Sequence, residues 1–125
     1  MENMSKYSYN NIAKGENMQD IVVRKAMVLK AISQPTRMQI LELLKQGERC
    51  VCEIIPVLKE EQSNLSKHLA FLRHAGIVDL RKEGASNYYS VRHPEVFQIL
   101  DLAQEIVKNE ITTSARMLKR LKVKS

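Results

Sequence analysis

The stretch of this chain that constrains its fold most runs from residue 62 to residue 74 and is closed by Gly76. Its apolar positions repeat every three or four residues, which is the period of an α-helix with one buried face. The core positions, within about 60° of one another on a helix, are Leu65, Leu69 and Leu72. The opposite side is small, polar and basic, with Ser63, Lys67, Ala70 and His74. The pattern predicts a helix that packs through its leucines and presents this polar face outward.

Two β-prone runs follow the helix and frame a turn. Residues 77–82 and 87–91 are rich in β-branched and aromatic side chains, and residues 83–86 between them have the composition of a turn. We therefore expect a β-hairpin, with Arg81 and Lys82 next to its tip.

The remaining apolar positions predict further helices. One begins at Met18 and ends before Ser33, and the next has Pro35 at its first position and ends at Gly47. A long helix begins near Pro94, and its apolar seam is Leu100, Ala103, Val107, Ile111, Ser114, Leu118 and Leu121. With a short helix before residue 58, the order is helix, helix, short helix, helix, hairpin, long helix. The predicted fold class is mainly α with a β-hairpin wing, a winged helix-turn-helix.

The charge balance favours an anionic partner. The chain has 20 Lys and Arg against 14 Asp and Glu, a formal net charge of +6. Small hydroxyl and amide side chains let a helix approach base edges in duplex DNA, while Lys and Arg neutralise phosphate. The candidate DNA contacts on helix and wing are Gln62, Ser63, Asn64, Ser66, Lys67, His68, Arg73, Arg81 and Lys82. A solvated helix face is the alternative for Ser63, Ser66 and Lys67, and a packing edge is the alternative for His68.

We expect a flexible N-terminal arm over residues 1–16, one DNA-binding and dimerisation domain over residues 17–121, and a basic tail over residues 122–125. No apolar stretch approaches the roughly 18 residues of a membrane helix, and the first residues lack the apolar core of a signal peptide. A cytoplasmic protein without a membrane partner is therefore expected. The sequence has no Gly-rich phosphate loop and no H-E-x-x-H motif, so we do not expect an enzyme.

The two cysteines, Cys50 and Cys52, are candidates for an effector site. Proline is tolerated within the first turn of a helix, so Pro56 predicts that the short helix begins near Cys52 or Glu53. Both thiols would then lie at or before the helix start, where an extended chain points residues two apart to the same side. A helix N-terminus favours the thiolate, which binds soft metals and reacts with oxidants. The alternative is a pair of small, half-buried apolar side chains.

Several segments together resemble the ArsR/SmtB family of metal- and stress-responsive repressors. The resemblance covers roughly residues 20–115. It is carried by residues 62–69, 72–78, 81–84 and 88–91 of the helix and wing, by residues 48–54, which resemble the family's metal box, and by residues 31–37. It implies a homodimer that binds palindromic double-stranded operator DNA and leaves it when an effector binds or a thiol is oxidised.

The sequence departs from the family's metal sites in three places. The three-thiolate arsenic site usually has a third cysteine, which this chain lacks, and the arm has no cysteine for a cadmium or lead site. The zinc site of the family's last helix pairs an Asp with several His, but Asp101 here is accompanied by Ala103 and Ser114. The expected effector is therefore a soft metal or metalloid bound by two thiolates, As(III), Cd or Pb, with arsenite as the example. No cofactor is expected to be required for DNA binding.

Three hypotheses of function remain open. The first is a repressor released when Cys50 and Cys52 bind a soft metal or metalloid. The second is a thiol-redox repressor that uses the same cysteines, with an interchain disulfide as plausible as an intrachain one. The third is a constitutive winged-helix module without an effector. In each case a long apolar stripe on so small a domain needs a partner, and the expected dimer interface is Met18, Ile21, Val22, Leu100, Ala103, Val107, Ile111 and Leu118.

Overall fold

The computed structural model describes residues 17–124, with side chains through residue 123. Its elements are α1 (Met18–Ile32), α2 (Pro35–Leu44), β1 (Arg49–Cys50), α3 (Val51–Leu58), α4 (Gln62–His74), β2 (Val78–Glu83), β3 (Ser86–Val91) and α5 (Glu95–Lys124). The predicted order of helices and hairpin is confirmed, with one short strand added. The arm predicted over residues 1–16 lies outside the described residues. None of the described helices is long and apolar enough to cross a membrane.

Side-chain caps fix the starts of the first two helices. Asn17 accepts a hydrogen bond from the backbone N–H of Asp20 at 3.0 Å, which satisfies a free donor of the first turn of α1. Gln34 accepts from the backbone N–H of Arg37 at 2.9 Å, and Pro35 occupies the first position of α2. The predicted boundary between α1 and α2 is therefore correct.

The three strands form one antiparallel sheet in the order β1-β3-β2. The hairpin runs in register from Val78 opposite Val91 to Glu83 opposite Ser86. Gly84 has a φ of 59° in the two-residue turn, a left-handed conformation that glycine adopts without steric cost. Strand β1 pairs with β3, and Cys50 lies opposite Tyr88.

The core forms beneath α4, as its sequence pattern predicts. Leu65, Leu69 and Leu72 are fully or almost fully buried and belong to one apolar cluster with Ile40 of α2 and Val78 of β2. Burying a leucine side chain contributes roughly 1.5–3 kcal/mol. These three residues therefore fix the orientation of α4 on the domain and leave its opposite face outward.

The predicted start of α3 is wrong by one or two residues. The helix begins at Val51, and Pro56 lies in its second turn instead of its first. Capping favours the earlier start, because the backbone N–H of Cys52 donates to Cys50 Sγ at 3.1 Å and that of Cys50 donates to Glu53 at 3.3 Å. Pro56 has no N–H for the carbonyl of Cys52, so α3 loses one intrahelical hydrogen bond.

The long helix α5 contributes to the core only through its first turns. Val96 and Leu100 are buried, while the side chains of residues 101–123 are exposed. Leu100 is only 8% exposed and packs within its own chain, so little of its surface is left for the predicted dimer interface. Asp101 forms an ion pair at 3.4 Å with Lys45, the C-cap of α2, which ties the start of the exposed part of α5 to the domain.

Candidate nucleic-acid interface and thiol site

The outward face of α4 carries the predicted DNA contacts. The exposed members on α4 are Gln62, Ser63, Asn64, Ser66, Lys67 and Arg73, and His68 is half-buried. Most of them lie in the first two turns. Arg73 lies eleven residues after Gln62, about 16 Å further along the helix. The structure thus brings the hydroxyl, amide and Lys67 side chains together and places Arg73 at the other end of α4.

Acidic side chains that the sequence pattern did not single out lie at the start of α4. Asn64 Nδ2 donates to Glu60 Oε2 at 2.6 Å, and Thr36 Oγ1 donates to the other carboxylate oxygen of Glu60 at 3.4 Å. Lys59, Glu60 and Glu61 line a shallow depression of about 400 Å³ together with Ser63, Asn64 and Lys67. A carboxylate repels phosphate and can accept a hydrogen bond from cytosine, and here it lies between Lys59 and Lys67.

The two basic residues of the wing differ in their surroundings. Arg81 makes a bidentate contact with Glu48, at 2.7 and 3.0 Å, and a further hydrogen bond with Glu83 at 2.7 Å. Its guanidinium also lies 4.6 Å from the centroid of the Tyr88 ring. These hydrogen bonds raise the pKa of Arg81 above its ordinary value, and the bond from Arg81 lowers the pKa of Glu48. Lys82 is exposed.

Cys50 and Cys52 are joined by a disulfide, with their Cα atoms 5.1 Å apart. Cys50 is buried at the N-cap of α3, and Cys52 is exposed in its first turn. Cys50 thus lies before the helix, as expected, whereas Cys52 lies inside it. Among the residues that the structure describes, no group of three or more His, Cys, Asp or Glu side chains could hold a metal ion. The donor set of one described chain therefore falls short of a three-ligand site.

The disulfide lies beside both predicted DNA-binding elements. A cleft of about 220 Å³ is lined by both cysteines and by Val51, Ile55, Gln62, Ala85, Ser86 and Asn87. Gln62 is the first residue of α4, and residues 85–87 form the turn of the wing and the start of β3. The sequence gives no signal for this proximity, because it arises from the pairing of β1 with β3.

The expected dimer interface is largely an exposed apolar surface. On α1, Met18 and Val22 are exposed and Ile21 is half-buried. On α5, the exposed positions include Ala103, Val107, Ile111 and Leu118. Leu121 continues the predicted seam, and Met117, which was not predicted, lies at its edge. At about 100° per residue the stripe from Ala103 to Leu121 keeps to one side of α5 over about 27 Å.

These features define a class of protein. A core helix pair, α3 and α4, is followed directly by a β-hairpin, and α4 presents polar and basic side chains outward. This arrangement is that of a winged helix-turn-helix transcriptional regulator, a DNA-binding protein. A family model described as bacterial regulatory protein, arsR family, matches residues 34–79. The chain belongs to the ArsR family.

Relatives of known sequence agree with this assignment. An uncharacterized HTH-type transcriptional regulator of Methanocaldococcus jannaschii is 45% identical over 82 residues, which is 65% of this chain and 92% of the relative. The arsenic resistance transcriptional regulator ArsR1 of Pseudomonas putida is 40% identical over 88 residues, covering 70% of this chain and 67% of the relative. Both are named as regulators of transcription, so their names indicate regulation and not catalysis.

Solved structures show the same fold. HlyU from Vibrio cholerae aligns with a TM-score of 0.65 at 35% identity, covering 71% of this chain and 97% of that one. A homodimeric winged helix-turn-helix DNA-binding domain from Mycobacterium bovis, solved by NMR, aligns with a TM-score of 0.66 at 30% identity, covering 78% and 93%. The predicted fold class is confirmed by these neighbours.

Proposed function

We propose that this protein is a homodimeric repressor that binds palindromic operator DNA through α4 and the wing and is released by chemistry at Cys50 and Cys52. The observation that carries the proposal is the cleft in which the two cysteines meet Gln62 of α4 and Ser86 of the wing. A change at the sulfurs acts there on both elements that are placed to contact DNA.

The DNA-binding surface combines a rigid helix with a basic wing. The buried leucines hold α4, and its exposed Ser63, Ser66 and Lys67 suit the major groove, where small polar side chains reach base edges. Lys82 suits an adjacent phosphate. Arg81 is held by Glu48 and Glu83, so its proposed role changes from a phosphate contact to a brace that keeps the wing in place.

The exposed apolar surface of α1 and α5 supports the proposed two-fold dimer. Val107 and Ile111 are more than half exposed in the single chain, and a second copy would bury them. The homodimer of the Mycobacterium bovis neighbour supports this arrangement. A two-fold axis places two α4 helices on half-sites about one helical turn of DNA apart.

For the switch we favour a dithiol–disulfide pair. With hydrogen peroxide as oxidant, two thiols lose two electrons and two protons, the sulfurs form one bond, and the peroxide becomes two water molecules. Cys50 pairs with Tyr88 of β3, and the nearby Glu48 holds Arg81 of β2. A change at the sulfurs can therefore move the wing through β1. It can also move α4 through α3.

A soft metal or metalloid is the second candidate effector. Its support is the likeness of residues 48–54 to a metal box and the name of the Pseudomonas putida relative, an arsenic resistance regulator. Reduced Cys50 and Cys52 would supply two thiolates, which suit a soft ion. A third ligand would have to come from solvent, a small thiol or the partner protomer.

One titration series tests the function and separates the effectors. A labelled duplex selected by the protein from a random library is titrated with reduced protein and followed by fluorescence anisotropy. The titration is repeated after hydrogen peroxide, with arsenite and with cadmium. We expect specific binding by the reduced protein and at least fivefold weaker binding after one treatment. The variant Cys50→Ser with Cys52→Ser should bind like the parent and respond to none of them.

Each contrary result has a definite meaning. Unchanged affinity of the parent under every treatment indicates a constitutive DNA-binding module. Release that persists in the double variant excludes the cysteines as the effector site. Failure to select any duplex contradicts the assignment of α4 and the wing as a sequence-specific DNA surface.

A further inference from the structure

A second concave site lies between α1 and the C-terminal half of α4, away from the cysteine cleft. It has a volume of about 580 Å³ and apolar walls formed by Met27 and Val28 of α1 and by Phe71 and Ala75 at the end of α4. Phe71 is 41% exposed, unusually open for an aromatic side chain on a helix that otherwise buries its apolar residues. The volume is within the range of roughly 300–1,000 Å³ in which proteins hold small organic ligands.

The polar residues around these walls are basic. Among the described residues that line the cavity, Arg24, Lys30 and His74 are basic and none is acidic. A further cation stands beside it, because the guanidinium of Arg37 lies 4.2 Å from the centroid of the Phe71 ring and donates to the carbonyl of Lys30 at 3.3 Å. Arg37 Nε is buried and has no hydrogen-bond partner in the described part of the chain. The cavity thus combines apolar walls with basic side chains among the described residues around it.

We propose that this cavity binds a small amphipathic organic anion. Its aromatic or aliphatic body lies against Met27 and Phe71, and its carboxylate or sulfonate group lies near Lys30, with Arg37 beside it. Burial of apolar surface supplies the affinity, and the basic rim distinguishes the anion from a neutral molecule of the same shape.

A second copy of the chain does not account for this surface. At about 100° per residue, Met27 lies about 140–180° around α1 from Val22 and Met18, which belong to the proposed dimer interface. A partner packed on Met18 and Val22 therefore leaves the Met27 side of α1 open. The occupant that the charge and the shape favour is a soluble small molecule.

Occupation of the cavity also bears on DNA binding, and this step rests on the proposed function of α4. Phe71 and Ala75 are on or next to the helix that carries Lys67, and a ligand that contacts them and α1 together fixes the angle between the two helices. The ligand shifts DNA affinity only as far as it prefers one angle over another. A change of about fivefold or more is the usual scale of such coupling.

The binding test uses 8-anilinonaphthalene-1-sulfonate as the anion and N-phenyl-1-naphthylamine as its neutral counterpart, without DNA. We expect one saturable sulfonate site per chain in the full-length protein by fluorescence, and at least tenfold weaker binding of the neutral probe. Met27→Glu places a carboxylate in the wall and should weaken sulfonate binding at least tenfold. Val57→Glu adds the same charge on α3, outside the cavity, and should leave sulfonate binding unchanged. It is a matched control because Met27 and Val57 are similarly exposed, at 61% and 59%.

Each contrary outcome bears on a definite part of the proposal. Equal sulfonate binding by parent and Met27→Glu, or equal binding of both probes, overturns the ligand site. A Met27→Glu protein that sediments as a monomer while the parent is a dimer also overturns it, because the cavity would then belong to the dimer surface. Anisotropy with the selected duplex and the sulfonate probe tests the coupling separately. Binding of the probe without any change in DNA affinity contradicts only the coupling, and loss of DNA recognition leaves the ligand site intact.

Discussion

At the scale of single residues, Arg81 and Lys82 have the same charge but different surroundings, from which we expect different roles. Both side chains are exposed, but Arg81 is held by two carboxylates and an aromatic ring, whereas no ion pair holds Lys82 among the described residues. We expect Lys82→Ala to weaken operator binding and to reduce the slope of log affinity against log salt by about 0.9, the loss of one phosphate contact. Arg81→Ala should lower Tm more than Lys82→Ala does. Equal Tm values and equal salt slopes for the two variants would contradict this division of roles.

The ion pair between Arg81 and Glu48 should make the stability of the fold depend on pH. Glu48 has a pKa lowered from 4.5 by its hydrogen bond with Arg81, so its ionised form is favoured in the folded state. The resulting stabilisation is present above pH 4.5 and is lost as the pH falls through the lowered value. Glu48→Gln should therefore lower Tm at pH 7 and lose this effect in acid. Glu105→Gln, an equal charge change on α5, is the control, and a Glu48→Gln deficit that persists at low pH would exclude this pair as its cause.

At the scale of elements, a helix or strand can be predicted from the sequence only when it is long enough to show a repeat of apolar residues. The three leucines of α4 repeat over two turns, so both the helix and its buried face can be predicted. Strand β1 has two residues, too few for a period, and its pairing with β3 depends on the folded chain. The start of α3 is misjudged because the cap formed by Cys50 and Glu53 outweighs the preference of Pro56 for a first turn. The cysteine cleft cannot be predicted, because it joins residues more than thirty positions apart.

The leucine face of α4 gives a stability prediction at this scale. Leu69 is almost fully buried, and its truncation leaves a cavity that the packed core fills only in part. Leu69→Ala should therefore reduce the free energy of unfolding by about 2–5 kcal/mol, measured by urea denaturation at one fixed protein concentration. Leu102→Ala on the exposed side of α5 should change it by less than about 0.5 kcal/mol. Equal losses for the two variants would show that α4 is not anchored through this face.

At the scale of the whole molecule, the length of α5 bears on the oligomeric state. Its first turns cover the core, and its remaining apolar stripe has no partner within the described chain. We expect Ile111→Glu to dissociate the proposed homodimer, because each added carboxylate would be buried in an apolar interface. Leu102→Glu is the matched control: the two residues are 64% and 65% exposed, and they lie about 180° apart around the helix. Sedimentation velocity at micromolar concentration should show a monomer for the first variant and a dimer for the second. Because a monomer contacts only one half-site, the affinity for the operator should fall when the dimer dissociates. If the Ile111→Glu protein remains a dimer, the interface lies elsewhere on the molecule.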